Sequence, residues 1–264
     1  METLLTKRRD RGEVTQTDID PYLVMSTDEL LCKLRSPTST IRTCASTVLG
    51  NHKEPKVIAA LCQQLKIEKM LYCRIAISDS LVDIGSLSVQ PLLALLGKVG
   101  HNQEKDIPQK GFNKTSYPLP RDIAARTLCR MGVSILPEVF GFLESDRHPF
   151  EVEQAIDVIG HIVYTEKPNI NPKILIQLSE KYIEFPMIQF KITRSFSGFT
   201  DNQAKKFLYN RLKSSDVGFQ FEAARSLVLS KQYMPVNDSG LPEDVLTFIA
   251  QLTKKFSGRN KPRR

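Results

Sequence analysis

Three side chains in the middle of the chain have residue types and a spacing that suit cation binding. Glu153, Asp157 and His161 stand at positions i, i+4 and i+8, so on a helix they share one face. Carboxylate and imidazole groups are suitable metal ligands. That spacing, however, spreads the three groups over about 12 Å of helix axis, which is too far for them to meet one ion. We therefore interpret them as a polar stripe on a helix and predict no metal site.

The chain contains none of the common motifs for catalysis or nucleotide binding. Glycine-rich phosphate loops, the G-x-S-x-G elbow and the H-E-x-x-H helix are all missing from the sequence. The four histidines are scattered, and three of them fall in predicted turns or loops. These absences predict a non-enzymatic protein with no catalytic residues and no cofactor.

The positive charge of the chain is concentrated at its carboxyl end. The formal net charge is +8, from 37 basic and 29 acidic residues. Six of the basic residues and no acidic one lie in 254–264, and removing them leaves 31 against 29, a net of +2. We interpret 257–264 as a basic, solvated tail, and the alternative is a tail that contacts nucleic acid or an acidic surface.

Cysteine usage and hydropathy predict a cytoplasmic protein. The five cysteines form no C-x-x-C pair and no staple pattern, which favours a reducing compartment. The first residues become charged before any apolar run develops, unlike a signal peptide. No run of about 18 apolar residues occurs, so we expect no membrane partner.

An internal repeat of about 31 residues organises the chain. The run CRIAISDSLVDIG from Cys73 matches PRDIAARTLCRMG from Pro120, with Arg at the second place, small residues at the fourth to sixth, Leu at the ninth and Gly at the thirteenth. Further copies start at 41, 151, 188 and 219. The interval between the copies that start at 73 and 120 is longer than the others because it contains an insertion at 100–118, rich in Asn, Gln, Lys, Gly and Pro.

Each repeat copy is predicted to be the second helix of a helix pair. Its apolar places form one helical stripe, and a second amphipathic stretch precedes it. A final stretch at 243–256 predicts a capping helix. The buried stripe is predicted to include Ala45, Leu49, Ala76, Leu81, Ala124, Leu128, Ile159, Phe196, Ala223 and Leu227.

The pattern of an apolar residue, Arg, a small-residue cluster, Leu and Ile-Gly resembles the HEAT repeat, in the short variety also found in bilin lyases. The resemblance covers roughly 27–233. It implies an all-α fold, an α-α superhelix (a HEAT-like solenoid) of about six helix pairs plus a carboxy-terminal capping helix. The expected organisation is an amino-terminal, partly flexible extension at 1–26, a HEAT-like repeat domain at 27–256 with the inserted loop 100–118, and the tail.

The resemblance favours an interaction scaffold that binds a protein partner through the concave face of the solenoid. One alternative is a nucleic-acid-associated protein, including a divergent HEAT-like DNA glycosylase. Another is a bilin-lyase-like chaperone or lyase. Salt-dependent duplex binding would distinguish the nucleic-acid alternative from the scaffold.

The third and seventh places of the second helices are predicted to point away from the buried stripe and to form the concave face. We expect Arg and Phe there to anchor the partner. The inserted loop is expected to be mobile, to project from one edge of the stack and to be dispensable for melting temperature. The candidate partner-binding residues are Asp79, Asp122, Arg126, Glu153, Asp157, Phe190, Arg194, Phe221 and Arg225.

Overall fold

The computed structural model describes residues 4–100, 103–233 and 240–259. Within those ranges the secondary structure is helical, and no β-strand is present. The chain divides into two compact units. Unit 1 comprises 1–102 and 122–138, and unit 2 comprises 103–121 and 139–264. The chain therefore leaves unit 1, contributes Gln103–Arg121 to unit 2, returns to unit 1 and leaves it again.

Unit 1 is built from short helices, of which α4 packs against α6 and α6 against α8. Its helices are α1 (Leu4–Asp10), α2 (Gln16–Ile19), α3 (Thr27–Lys33), α4 (Ser39–Leu49), α5 (Pro55–Ile67), α6 (Leu71–Ile84), α7 (Val89–Leu93) and α8 (Ile123–Cys129). Turns of 3₁₀ helix follow α2, α6 and α8, at Asp20–Tyr22, Gly85–Ser88 and Gly132–Ile135.

The conserved places of the repeat have local structural explanations in unit 1. Gly85 and Gly132, at the thirteenth place, have φ angles of 81° and 74°, in the left-handed region that glycine adopts without a steric penalty. Arg42, at the second place, donates from Nε and Nη2 to the carboxylate of Glu68 at 2.8 and 2.9 Å. Arg74, in the next copy, donates to the main-chain carbonyl of Glu68 at 2.6 Å. The repeat arginines thus bind the turn between α5 and α6.

Glu68 is the buried centre of this turn. Burial opposes its ionisation, but hydrogen bonds from Arg42, from the main-chain amide of Met70 and from Gln64 outweigh that effect and lower the pKa of Glu68 to about 2. The carboxylate therefore stays charged at neutral pH, where the Arg42 pair joins the start of α4 to the α5–α6 turn.

The amino-terminal extension is helical from Leu4 and packs on α4 through α1 and α2. The Cys44 thiol donates to the carbonyl of Asp18 at 3.3 Å, and the Ser39 hydroxyl donates to the carbonyl of Asp10 at 3.0 Å. The described part of 1–26 is thus part of unit 1 and has its own contacts with α4, which the prediction of a separate extension did not anticipate.

Unit 2 is also built from helices that pack side by side. Helix α9 (Leu136–Glu144) begins in unit 1 and ends in unit 2. The following helices are α10 (Pro149–Glu166), α11 (Lys173–Lys181), α12 (Pro186–Ser195), α13 (Asn202–Arg211), α14 (Val217–Leu229) and α15 (Glu243–Arg259). Helices α10, α12 and α14 pack side by side, α11 packs on α12, α13 packs on α14, and α15 packs against the other side of α14.

The helical predictions are confirmed in both units. A helix is present at each predicted helical stretch, and the predicted capping stretch is α15. All ten residues predicted for the buried stripe are buried, nine of them with an exposed fraction of 0%. Of the basic tail, 260–264 lies outside the described residues.

Candidate functional site

One face of unit 2 carries a concentration of buried charge. It consists of the third, fourth and seventh places of the repeat on three neighbouring helices, which on a helix lie on one side. We call it the charged face. Its residues are Glu153, Gln154 and Asp157 on α10, Phe190, Lys191 and Arg194 on α12, and Phe221, Glu222 and Arg225 on α14.

Lys191 compensates the two negative charges of Glu153 and Asp157 on α10. Its Nζ lies 2.8 Å from Asp157 Oδ2 and 3.7 Å from Glu153 Oε2, and its side chain is almost completely buried. Burial, together with the charge of Asp157, raises the pKa of Glu153 to about 7, although Lys191 opposes the shift. Glu153 and Asp157, which the sequence placed on a polar stripe of one helix, therefore pair with a cation from the neighbouring helix α12.

Arg194 and Arg225 continue the network across α12 and α14. Arg194 donates to both carboxylate oxygens of Glu104, at 2.8 and 3.2 Å, and its Nε lies 3.8 Å from Glu222. Arg225 donates to Glu222 at 2.7 Å. Burial alone would lower the pKa of Arg194, but the carboxylates of Glu222 and Glu104 raise it above its usual value. The guanidinium group of Arg194 therefore remains charged although it is buried.

The charged face is covered by the chain's own insertion. We call Gln103–Arg121 the cover segment. Arg225 donates to the main-chain carbonyls of Lys114 and Ser116, and its guanidinium lies 5.1 Å from the centre of the Phe112 ring. Tyr164 of α10 donates to the carbonyl of Thr115 at 2.8 Å.

The residues on either side of these contacts, Asn113 and Tyr117, are also held. Lys255 of α15 donates to the carbonyl of Asn113 at 3.1 Å. Tyr117 lies against α10, with its ring edge toward His161 at a centroid distance of 6.0 Å. Gly160 permits this approach, because a Cβ there would overlap the Tyr117 hydroxyl. The prediction that the insertion projects from an edge of the stack is therefore wrong for this segment.

No protein-family model matches the chain, and no curated protein sequence matches it. What the charged face does must therefore follow from its own contacts and charges. Among the described residues, no helix is both long enough and apolar enough to cross a bilayer.

The candidate residues on unit 2 lie on the charged face, but they were predicted to be exposed and the structure buries them. Phe190 and Phe221 are buried, with exposed fractions of 1% and 7%. Phe190 meets Phe219 edge-on and Phe221 meets Phe248 of α15 edge-on. Arg194 and Arg225 are buried as well, because the cover segment and the neighbouring carboxylates surround them.

The candidate residues on unit 1 do not form such a cluster. Asp122, which was predicted to point outward, is fully buried and accepts a hydrogen bond from the main-chain amide of Ala125 as the amino-terminal cap of α8. Asp79 is half-exposed and pairs with Arg130 at 2.6 Å. Arg126 is exposed.

Sequence reasoning missed Gln154, Lys191 and Glu222, and a signal for them was present. The fourth place of the repeat was assigned as a small or apolar position, and in unit 1 it is one. In the three copies of unit 2 the same place holds these three long polar residues, all buried. Polar residues at a place that the fold buries indicate a local network, because buried polar groups need partners.

Proposed function

We propose that the chain is a non-enzymatic scaffold of the HEAT-like solenoid type, and that the charged face of unit 2 binds an extended segment of a protein partner. The observation that carries the proposal is the way in which unit 2 holds the cover segment over this face. Arg225 of the charged face, Tyr164 elsewhere on α10 and Lys255 of α15 donate to four successive main-chain carbonyls, those of Asn113, Lys114, Thr115 and Ser116. Recognition of main-chain carbonyls does not depend on the sequence of the bound segment, so the same donors suit a segment from another chain.

The composition of the face also favours recognition over stability. Buried ion pairs add little net stability compared with apolar packing, because desolvation offsets their attraction. Arginine and aromatic residues are the usual anchors of protein interfaces. A cluster that joins Lys191, Arg194 and Arg225 to carboxylates on three helices is therefore explained better by binding than by packing.

The cover segment occupies the face as a tethered competitor in this proposal. A covalently attached segment has an effective concentration in the millimolar range. A partner must therefore bind the face more strongly than the segment does at that effective concentration, or it must bind when the segment is released from the face.

A full-length chain in which 103–121 is replaced by a Gly-Ser linker of equal length tests the proposal. A fluorescent peptide with the sequence of 103–121 should bind this chain, with an increase in anisotropy, and should bind the unmodified chain much more weakly. The same peptide with Tyr117→Ala, which lacks the side chain that packs against α10, is the control and should bind more weakly. Absence of peptide binding by a linker chain that retains its helical circular dichroism would overturn the proposal.

If the linker chain does not fold, a point variant can replace it in the peptide-binding test. Tyr117 is 5% exposed, so Tyr117→Ala should loosen the cover segment without altering the face. Leu119 is 59% exposed in the same segment, and Leu119→Ala is the matched control. Peptide binding should increase for Tyr117→Ala only, and equal binding by the two variants would contradict the tethered-competitor model.

A further inference from the structure

A cavity of about 230 Å³ lies between the cover segment and helices α10 and α12. Gln154, Asp157, Lys191 and Arg194 line it from the helices, and Lys110 and Arg121 line it from the cover segment. Its volume is below the range of roughly 300–1,000 Å³ that is usual for drug-sized ligands, so a ligand here would be smaller. The cavity exists only when the cover segment lies on the face, so its ligand would be distinct from the peptide proposed above.

One of the residues that line this cavity has an unsatisfied donor. Gln154 is 1% exposed, and its Nε2 is buried with no hydrogen-bond partner within the described residues. A ligand with an acceptor atom could supply the hydrogen bond that this buried amide lacks. Arg194 Nε likewise has no hydrogen-bond partner there.

Lys191 has remaining capacity at the same cavity. An ammonium group has three N–H donors. In the part of the chain that the structure describes, Asp157 Oδ2 is the only ion-pair oxygen of Lys191 within hydrogen-bond distance, since Glu153 Oε2 is 3.7 Å away. Gln154 and Lys191 together therefore offer donors on two adjacent helices.

The charge balance of the lining favours an anion. Four basic side chains (Lys110, Arg121, Lys191, Arg194) line the cavity against two acidic ones (Glu104, Asp157). When the buried residues Glu153, Glu222 and Arg225 of the charged face are added to these lining residues, the total is five basic against four acidic side chains. The two lining carboxylates are already engaged by cations at 2.8 Å, Glu104 by Arg194 and Asp157 by Lys191. Lys110 and Arg121 belong to the exposed part of the cover segment, where they can attract a charged ligand.

We propose that this cavity binds a small oxyanion, the carboxylate or phosphate group of a small molecule, with Gln154 Nε2 and the ammonium group of Lys191 as donors. Lys110 and Arg121 supply positive charge at the entrance. The bound anion would cross-link α10, α12 and the cover segment, so its binding stabilises the covered state of the face.

Nuclear magnetic resonance of the ¹⁵N-labelled full-length chain tests this site directly. The side-chain amide signal of Gln154, assigned by its loss in Gln154→Leu, should shift saturably with inorganic phosphate or with acetate. It should not shift with chloride at the same ionic strength. Saturation by phosphate alone or by acetate alone assigns the preferred group. Absence of a saturable shift with both ions overturns the proposal.

Two substitutions locate the binding. Gln154→Leu removes one hydrogen bond to a charged group and should weaken anion binding about tenfold, measured by phosphate-dependent stabilisation in thermal melts. Arg121→Met changes only an exposed side chain and should also weaken binding by several-fold, whereas Lys105→Met, exposed on the same segment outside the cavity, should not. Equal phosphate stabilisation in all three variants and the unmodified chain would show that the anion binds elsewhere. Peptide binding by the linker chain is a separate readout, so either proposal can fail without the other.

Discussion

Arg225 of α14 donates a hydrogen bond to the main-chain carbonyl of Ser116, 109 positions earlier in the chain. The same guanidinium group also binds Glu222 and the carbonyl of Lys114. It therefore connects the helices of unit 2 to the cover segment, and its removal affects both.

Arg225→Met should destabilise the full-length chain by about 3–5 kcal/mol, because it leaves Glu222 and two main-chain carbonyls without their buried donor. Urea denaturation followed by circular dichroism measures the loss. The exposed Arg126→Met is the matched control and should change stability by no more than about 0.5 kcal/mol. A loss for Arg225→Met as small as that of the control would mean that the cover segment is not held by this residue.

Leu81→Ala should cost about 2–5 kcal/mol in the free energy of unfolding, since Leu81 is completely buried in α6 and its truncation leaves a cavity. Leu87, which is 55% exposed, gives a control in Leu87→Ala. Chemical denaturation compares the two variants. A loss below about 0.5 kcal/mol for Leu81→Ala would place the buried stripe of the repeat elsewhere.

Gly160→Ala and Gly141→Ala should have effects of opposite sign on melting temperature. Alanine favours a helix over glycine by about 1 kcal/mol. At Gly141, on an exposed part of α9, a Cβ meets nothing within 4 Å, so the variant should melt at a higher temperature. At Gly160 a Cβ would overlap Tyr117 and approach Ser195 Cβ to 2.8 Å, so the variant should melt at a lower temperature. Parallel shifts would contradict the packing of Tyr117 on α10.

The pKa of Glu153 predicts a pH dependence of stability. Its folded-state pKa of about 7 lies above the value of 4.5 for an unperturbed glutamate, so the folded state holds a proton that the unfolded state has lost between these values. Stability should therefore fall as pH rises from about 4.5 to 7, by at most ~1.4 kcal/mol per pH unit from this group.

Glu153→Gln tests that dependence. The variant should lose the Glu153 contribution to the slope and should be more stable than the unmodified chain at pH 8, while Lys191 keeps its pair with Asp157. Urea denaturation at pH 5 and pH 8 measures both chains. An unchanged slope in the variant would show that Glu153 titrates normally in the folded chain.

The helices and the buried stripe were predictable because they depend on local periodicity. Leu81 and Leu128 occupy the same place of a helical pattern, and burial of that place follows from its spacing. The glycines at Gly85 and Gly132 likewise mark helix ends that the sequence indicates directly.

The environment of the charged face was not predictable in the same way. Whether Arg194 and Arg225 are exposed depends on a segment that is distant in sequence and has no periodic pattern. The insertion has a loop-like composition, and composition does not reveal that its main-chain carbonyls are acceptors for Arg225 and Tyr164. Lys191 was overlooked because its place was assigned from the copies in unit 1, where it is small or apolar.

The long separation between the cover segment and its contacts has a consequence for synthesis of the chain. At roughly 5–20 residues per second, Arg225 is made about 5–20 s after Ser116, and Lys255 of α15 follows later still. During that interval α14 and α15, which supply Arg225 and Lys255, do not yet exist, although α10 is already made. The nascent chain therefore presents the segment before its binding site is complete, and the last contacts form in a late docking step. A protein that binds either element early would meet no competition from the other.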